Sequence, residues 1–272
     1  MCSSSVVPKI GRAGDELAEE LQKLQNVTLA ILAGGQGTRM GRPKGELLIE
    51  GQPILSYLLK RLEWPGSTML VTAPGREHPA GWEQFSVEVT DAQPLGPLGG
   101  ILTALQNAST PIVIVLTVDM PGIEQPHVRW LLQEFESDLS LSRYSGGGLG
   151  RGLAQHCETP KNANCANPLP NPPPAYRGRE KSSELRAVHA SLLGVMTTRS
   201  ADTRELVEPF PSVYRRQAID IIRRRLDRGQ KSVHSLLDEE DGFYAVPAPK
   251  EWPDSTWTNL NSPADLAGFL NK

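Results

Sequence analysis

The sequence predicts an α/β fold, a three-layer α/β/α sandwich built on a mostly parallel sheet. Two observations carry that expectation. Compact, β-branched apolar runs alternate with segments of helical periodicity through the first half of the chain. Alternation at this spacing implies right-handed crossovers, hence parallel strands with helices on both faces. A third observation concerns function. The polar residues of this half collect at the carboxyl ends of the strands, where ligands bind in such sheets.

Residues 13–25 are rich in charge and read as a short helix beginning near Asp15, within an N-terminal extension of 1–26. "TLAIL" (28–32) is an apolar run that ends in glycines, as a buried parallel strand does. In "ILSYLLKRLEW" (54–64), Ile54, Leu55, Leu58, Leu59 and Leu62 recur at helical spacing, and "PG" follows. "TMLVTA" (68–73) and "SVEVT" (86–90) read as the second and third strands, the third ending at Asp91. "GPLGGILTALQNA" (96–108) reads as a helix opened by glycines. "PIVIVLTVD" (111–119) is the strongest strand, an unbroken run of the kind covered on both faces, and it ends at Asp119. "PHVRWLLQEFES" (126–137) is a helix with Pro126 in its first turn.

The stretch 142–186 breaks the pattern. It holds "SGGGLGRG" and "NPLPNPPPAYRG" without hydrophobic periodicity, and reads as a disordered insertion or mobile flap within one domain, 27–272. Pattern resumes with "ASLLGVMTT" (190–198), a strand. "YRRQAIDIIRRRLDRG" (214–229) is a helix with Ala218, Ile219, Ile222 and Leu226 on one face and Gly229 closing it. "FYAV" (243–246) is strand-like. Ser262, Pro263 and Asp265 open a last helix with a capping pattern.

Bulk properties narrow the function. A net charge of −3 over 272 residues argues against a general nucleic-acid binder, whose surface is basic. No apolar run reaches the roughly 18 residues of a membrane span, and the N-terminus lacks the apolar stretch of a secretion signal. Three cysteines, Cys2, Cys157 and Cys165, imply no disulfide framework, so a cytoplasmic location is expected. His156, Cys157 and Cys165 fit no standard zinc spacing. The other histidines form no visible nucleophile–base set, and there is no G-x-S-x-G.

"LAGGQGTRMGRPK" (32–44) follows the first strand directly and is the most informative segment. It is not a Walker loop, because its lysine follows proline and no hydroxyl comes after it. It is not the G-x-G-x-x-G fingerprint either, because Met40 stands where the last glycine belongs. A plain tight turn needs the glycines but neither Arg39 nor Lys44. Glycines let backbone N–H groups approach a polyphosphate, and Arg39 and Lys44 can neutralise a departing anion.

With these residues in view, the chain resembles the molybdenum cofactor guanylyltransferase (MobA-like) family of the nucleotidyltransferase superfamily. That family's pattern is L-A-G-G-x-x-x-R-M-G, then a lysine and a stretch leading to G-x-P-L, which "ELLIEGQPIL" (46–55) continues. "DAQPLGPLGGI" (91–101), "VDMP" (118–121), "IIRRRLDRGQKSVHSLL" (221–237) and "TNLNSPADL" (258–266) follow in the family's order. The resemblance covers about 28–140 and 205–271 and implies a Rossmann-like sheet of the nucleotide-diphospho-sugar transferase type. Val118 stands where the family has cysteine, and Thr72 where it often has asparagine near the base.

The resemblance implies transfer of GMP from GTP to a molybdopterin-type molybdenum cofactor, with Mg²⁺ as the metal and pyrophosphate as the second product. Arg39, Lys44 and Asp119 are the implied catalytic residues, Asp119 also being the metal ligand; its plainer role is to cap the next helix. Leu32, Ala33, Gly34 and Gly35 are expected to line the nucleotide site through their backbones, with Lys44, Thr72, Asp91 and Asp119. Asp91 either contacts guanine or ribose or is a simple loop residue. A second glycine in "LAGG", where cytidylyltransferase relatives carry "LAAG", leaves room for a purine. Asn259 and Asn261 are similar to acceptor-binding residues, or else hydrogen-bond a turn before the last helix. Lys231 and the arginines of 214–229 meet acceptor phosphates or form a solvated face. Molybdoenzymes or other cofactor-biosynthesis proteins are the implied partners, with no nucleic acid and no membrane. Two alternatives stay open: a cytidylyl- or sugar-phosphate nucleotidyltransferase, and a non-catalytic protein that delivers nucleotide or cofactor.

Overall fold

The structure is a computed structural model and describes residues 21–35, 39–93, 95–137, 192–201, 204–239 and 242–271. The insertion expected at 142–186 and the first 20 residues lie outside them; 21–25, the end of the first expected helix, are helical. The strands are β1 (Val27–Leu32), β2 (Leu48–Ile49), β3 (Gln52–Pro53), β4 (Thr68–Thr72), β5 (Val87–Thr90), β6 (Ile112–Thr117), β7 (Gly194–Ala201), β8 (Arg204–Arg215) and β9 (Phe243–Pro247). The helices are α1 (Ile54–Leu62), α2 (Pro97–Asn107), α3 (Gln125–Glu136), α4 (Ile219–Asp227), α5 (Ser235–Glu239) and α6 (Pro263–Leu270).

Seven strands form one sheet in the order β5-β4-β1-β6-β8-β7-β9, while β2 and β3 pair as a separate antiparallel hairpin. β1 pairs in parallel with β4 and β6, β4 with β5, and β7 with β9; among the described strands of this sheet only β8 runs against its neighbours. The mostly parallel α/β sheet is therefore as expected. β1 and β4 are buried along their whole length and β6 as far as Leu116. That is why they read as continuous apolar runs rather than alternating ones.

Helices cover the sheet. α2 packs on β1, β4, β5 and β6 with α4 beside it, and α3 packs on β7 and β8 with α1 beside it. α1 buries Ile54, Leu55, Leu58 and Leu62, and α2 buries Leu98, Ile101, Ala104 and Leu105. Each such side chain contributes roughly 1.5–3 kcal/mol on leaving water. Pro97 opens α2 and Pro126 sits in the first turn of α3, positions where a missing N–H leaves no bond unmade. Gly229, at φ 76°, follows α4 in the left-handed conformation that ends helices.

β8 departs from the sequence expectation, which has no strand between 198 and 214 and gives 214–215 to a helix. Residues Arg204–Arg215 are strand, Tyr214 is fully buried, and the helical course begins only at Arg216. Pro209 and Pro211 hide the strand, because proline cannot donate to a ladder and argues against a central position. The pairing with β7 passes from Val195–Val213 to Thr197–Glu208, so β8 bulges over Pro209 and Pro211 and neither need donate to that ladder.

The strand order places the functional crevice. β4 and β5 lie to one side of β1, and β6 lies to the other. The order thus reverses between β1 and β6, and ligands bind at the carboxyl ends of strands at such a point. The glycine turn leaves β1 there, and Asp119 follows β6 there.

Candidate active site

The carboxyl ends of β1, β4 and β6 and the start of α2 surround a cavity of about 280 Å³. Leu32, Gly34, Gly35, Lys44, Val71, Thr72, Ala73, Asp91, Gly96, Pro97, Gly100, Thr117, Val118 and Asp119 line it. The chain leaves β6 with the Val118 N–H bonded to the Leu32 carbonyl (3.0 Å), then turns, the Met120 N–H meeting the Thr117 carbonyl (3.3 Å). This turn presents Asp119.

Asp119 carries the central contact. Its side chain is 14% exposed, and Oδ2 is ion-paired with Lys44 Nζ. Its Oδ1 is buried and has no hydrogen-bond partner among the described residues. Lys44 opens the short 3₁₀ turn Lys44–Glu46 after Pro43, and its ammonium also donates to Asn261 Oδ1 (2.7 Å). Asn261 reaches the site on the loop before α6, where the Leu260 N–H is bonded to the Asp119 carbonyl (2.8 Å). A capping box fixes that loop. Asp265 Oδ2 accepts from the N–H groups of Ser262 (2.8 Å) and Asn261 (3.0 Å), and Ser262 Oγ accepts from the Asp265 N–H (3.3 Å). Hydrogen bonding from Ser262, then from the Asn261 N–H, holds the Asp265 carboxyl below the usual carboxylate value.

The opposite wall is built by "GPLGG". Gly96, Pro97 and Gly100 bring the N-terminal end of α2 to the cavity, and with it the positive end of the helix dipole. Gly100 is fitted to Leu32: a Cβ there would lie 3.1 Å from Leu32 Cδ1. Asp91 serves the turn and the cavity together. Its N–H bonds the Thr72 carbonyl (2.8 Å), and its Oδ1 accepts from Thr103 Oγ1 (3.2 Å) and the Gln93 N–H (3.3 Å). The Thr72 hydroxyl donates toward Glu88 Oε1 (3.2 Å) on β5, so its proton is committed to the edge strand.

Leu32, Gly34, Gly35, Lys44, Thr72, Asp91 and Asp119 thus share one cavity, and Asn261 joins them through Lys44. Three expected residues stand apart. Ala33 lines a neighbouring hollow of about 290 Å³ with Pro43 and Arg76, Arg39 is exposed beyond the cavity wall, and the Asn259 amide donates to the Trp257 carbonyl (3.4 Å). Gly96, Pro97, Gly100 and Thr117 were not picked out from sequence, although the "GPLGGI" motif signalled the first three. Lys231, Arg223, Arg224 and Arg228 are exposed, whereas Arg225 turns inward and donates to Ser235 Oγ (2.6 Å).

The donor set suits a hard divalent cation. Among the described residues no three His, Cys, Asp or Glu side chains gather to form a closed cage. Mg²⁺ typically takes one or two carboxylates and completes its shell with phosphate and water oxygens. The Oδ1 of Asp119, buried and without a partner among the described residues, beside a cavity of about 280 Å³ fits that description.

A mostly parallel sheet whose switch-point crevice unites a glycine turn, a lysine and a strand-end aspartate defines a domain of nucleotidyltransferase type. The sequence model of the MobA-like NTP transferase domain matches residues 29–242, and the chain belongs to that family. A molybdenum cofactor guanylyltransferase of Histophilus somni is 36% identical over 126 residues, 45% of this chain and 64% of that protein. One from Serratia proteamaculans is 35% identical over 127 residues, 46% of this chain and 63% of that protein. The matches therefore span just under two thirds of these relatives' length. Molybdopterin-guanine dinucleotide biosynthesis protein A from Archaeoglobus fulgidus shares the fold, with a TM-score of 0.58 at 18% identity, covering 90% of this chain and 97% of that one. So does 4-diphosphocytidyl-2C-methyl-D-erythritol synthase from Anaerococcus prevotii, with a TM-score of 0.56 at 10% identity, covering 93% and 97%. Among the described residues no helix is long and apolar enough to cross a membrane.

Proposed function

We propose that this chain transfers GMP from GTP to a molybdopterin-type molybdenum cofactor in the cytoplasm, forming the guanine dinucleotide cofactor and pyrophosphate. The observation that carries this reading is the Lys44–Asp119 pair beside Gly34 and Gly35 in one cavity. A delivery protein needs a nucleotide cradle but gains nothing from a cation and a carboxylate held at one point. The names of the bacterial relatives support the choice of guanine and of the acceptor.

In this reaction an acceptor phosphate oxygen attacks the α-phosphorus of GTP. The bond from that phosphorus to the α–β bridging oxygen breaks, and pyrophosphate leaves with the electron pair. Backbone N–H groups at Gly34 and Gly35 and the start of α2 hold phosphate oxygens. Lys44 neutralises charge that grows on the departing pyrophosphate, with Arg39 as a second cation at the rim. Asp119 would hold the divalent cation, with Mg²⁺ the expected ion, which would supply charge neutralisation for the phosphates. Thr72 and Asp91 face the nucleoside, and Asn259 and Asn261 stand on the acceptor side. Molybdoenzymes or other cofactor-biosynthesis proteins are the partners this product implies.

The test is incubation with molybdopterin, Mg²⁺ and equal GTP, CTP and ATP, reading the product by mass. A GMP adduct is expected. A CMP adduct moves the chain to cytidylyl transfer, and tight nucleotide binding without any adduct makes it a delivery protein.

A further inference from the structure

We propose that Asn261 is a positioning residue for Lys44, which holds the ammonium at Asp119 from the far end of the chain. The inference rests on the nucleotidyl-transfer reading only for its consequence, since the contact itself is in the geometry. An ammonium has three hydrogens. One goes to Asp119 Oδ2 and one to Asn261 Oδ1 at 2.7 Å, leaving the third for a ligand in the cavity that Lys44 lines. Lysine is a flexible stem with a compact charge, so its direction is set by acceptors rather than by its own shape.

Asn261 is well placed to supply that direction. The preceding residue, Leu260, is fully buried and bonds the Asp119 backbone, while Asn261 bonds Lys44. Two consecutive residues of one loop thus grip both members of the ion pair. The loop is in turn fixed by the Asn261 and Ser262 N–H groups on Asp265 Oδ2. When a metal takes the Asp119 carboxylate, Asn261 is the contact that keeps Lys44 over the cavity. The amide oxygen of Asn261 is occupied by Lys44, which leaves its NH2 group to face the second substrate.

The experiment compares the full chain as wild type, Asn261→Ala and Asn261→Asp. Asn261 is exposed, so both variants are expected to fold, which the circular dichroism spectrum checks. Reductive methylation of Lys44 is followed by peptide mass, with exposed Lys60 and Lys231 as internal controls. Losing a hydrogen bond to a charged group is expected to speed Lys44 labelling about ten-fold in Asn261→Ala. Asn261→Asp, which keeps an oxygen acceptor and adds a negative charge beside the ammonium, should label no faster than wild type. Unchanged Lys44 labelling in Asn261→Ala overturns the proposal. Calorimetry with Mg-GTP is the second arm. Asn261→Ala should weaken binding about three- to ten-fold in the wild type and have no effect in a Lys44→Met background. An equal loss in both backgrounds overturns the assignment, because Asn261 would then touch the ligand itself. The labelling arm needs no nucleotide, so failure of the functional reading shows separately, as a wild-type chain that binds no GTP.

Discussion

Gly122→Ala is a test of the site that touches no chemical group in it. Gly122 lies three residues past Asp119, and its backbone is not among the left-handed glycines, so the requirement there is space. A Cβ at this position would sit 2.1 Å from the Ser255 carbonyl oxygen and 3.0 Å from Thr256 Cα. A carbon–oxygen contact settles at about 3.3 Å, so the two segments must part by roughly an ångström. Both sides are backbone, and neither can swing a side chain away. Overpacking of this kind costs about 1–3 kcal/mol, which lowers Tm by roughly 3–10 °C in a domain of this size. The segment that moves leads straight to Leu260 and Asn261, which hold Asp119 and Lys44. A misplacement near 1 Å costs about a hundred-fold in rate. Scanning fluorimetry and steady-state pyrophosphate release measure the two effects together. A variant with wild-type Tm and turnover would refute the claim that this close approach sets the loop. A lowered Tm with full turnover would refute the link from the loop to Lys44.

Asp119→Asn should reduce Mg²⁺-dependent turnover by about a hundred-fold or more while shifting Tm little, because Lys44 keeps Asn261; retained Mg²⁺-dependent activity would remove the metal assignment. Gly194→Ala places a Cβ 2.7 Å from the Tyr214 ring and 2.8 Å from the Phe243 ring. It should cost about 1–3 kcal/mol in urea unfolding, with GTP affinity unchanged for folded chains. Burial pushes the His127 ring below its ordinary value of 6.5, against an opposing pull from Glu124, and its Nδ1 accepts from the Glu124 N–H (2.9 Å). Because the folded value lies below the unfolded one, this stability is full above about pH 6.5. It is lost as pH falls through the folded value. Urea midpoints at pH 7.5, 6 and 5 should therefore decline more in wild type than in His127→Gln.

The parallel half of the fold was legible because its strands are buried on both faces and its helices repeat apolar residues at helical spacing. Asp119 was legible for the same reason, as the first acidic residue after the strongest strand. β8 was not, since Pro209 and Pro211 mask a strand whose own bulge keeps them out of the ladder with β7. Arg225 read as one of a solvated run, yet its side chain is 1% exposed and bonded to Ser235. The Lys44–Asn261 bond joins positions 217 residues apart, and no local pattern encodes a contact of that separation. Asn259 and Asn261 looked equivalent in "TNLNSP", but the turn sends one amide back to Trp257 and the other to Lys44. Gln36, Gly37 and Thr38, within the most telling motif, lie outside the described residues.

Among the described residues every strand of the main sheet is complete by Pro247, whereas the grip on Asp119 and Lys44 comes from Leu260 and Asn261. The strands of the scaffold therefore do not include the residues that finish the site. A chain cut by a protease between 247 and 258 would keep every described strand and lose the hold on its lysine. Such a nicked molecule would pass for native in a test of secondary structure and fail in a test of catalysis.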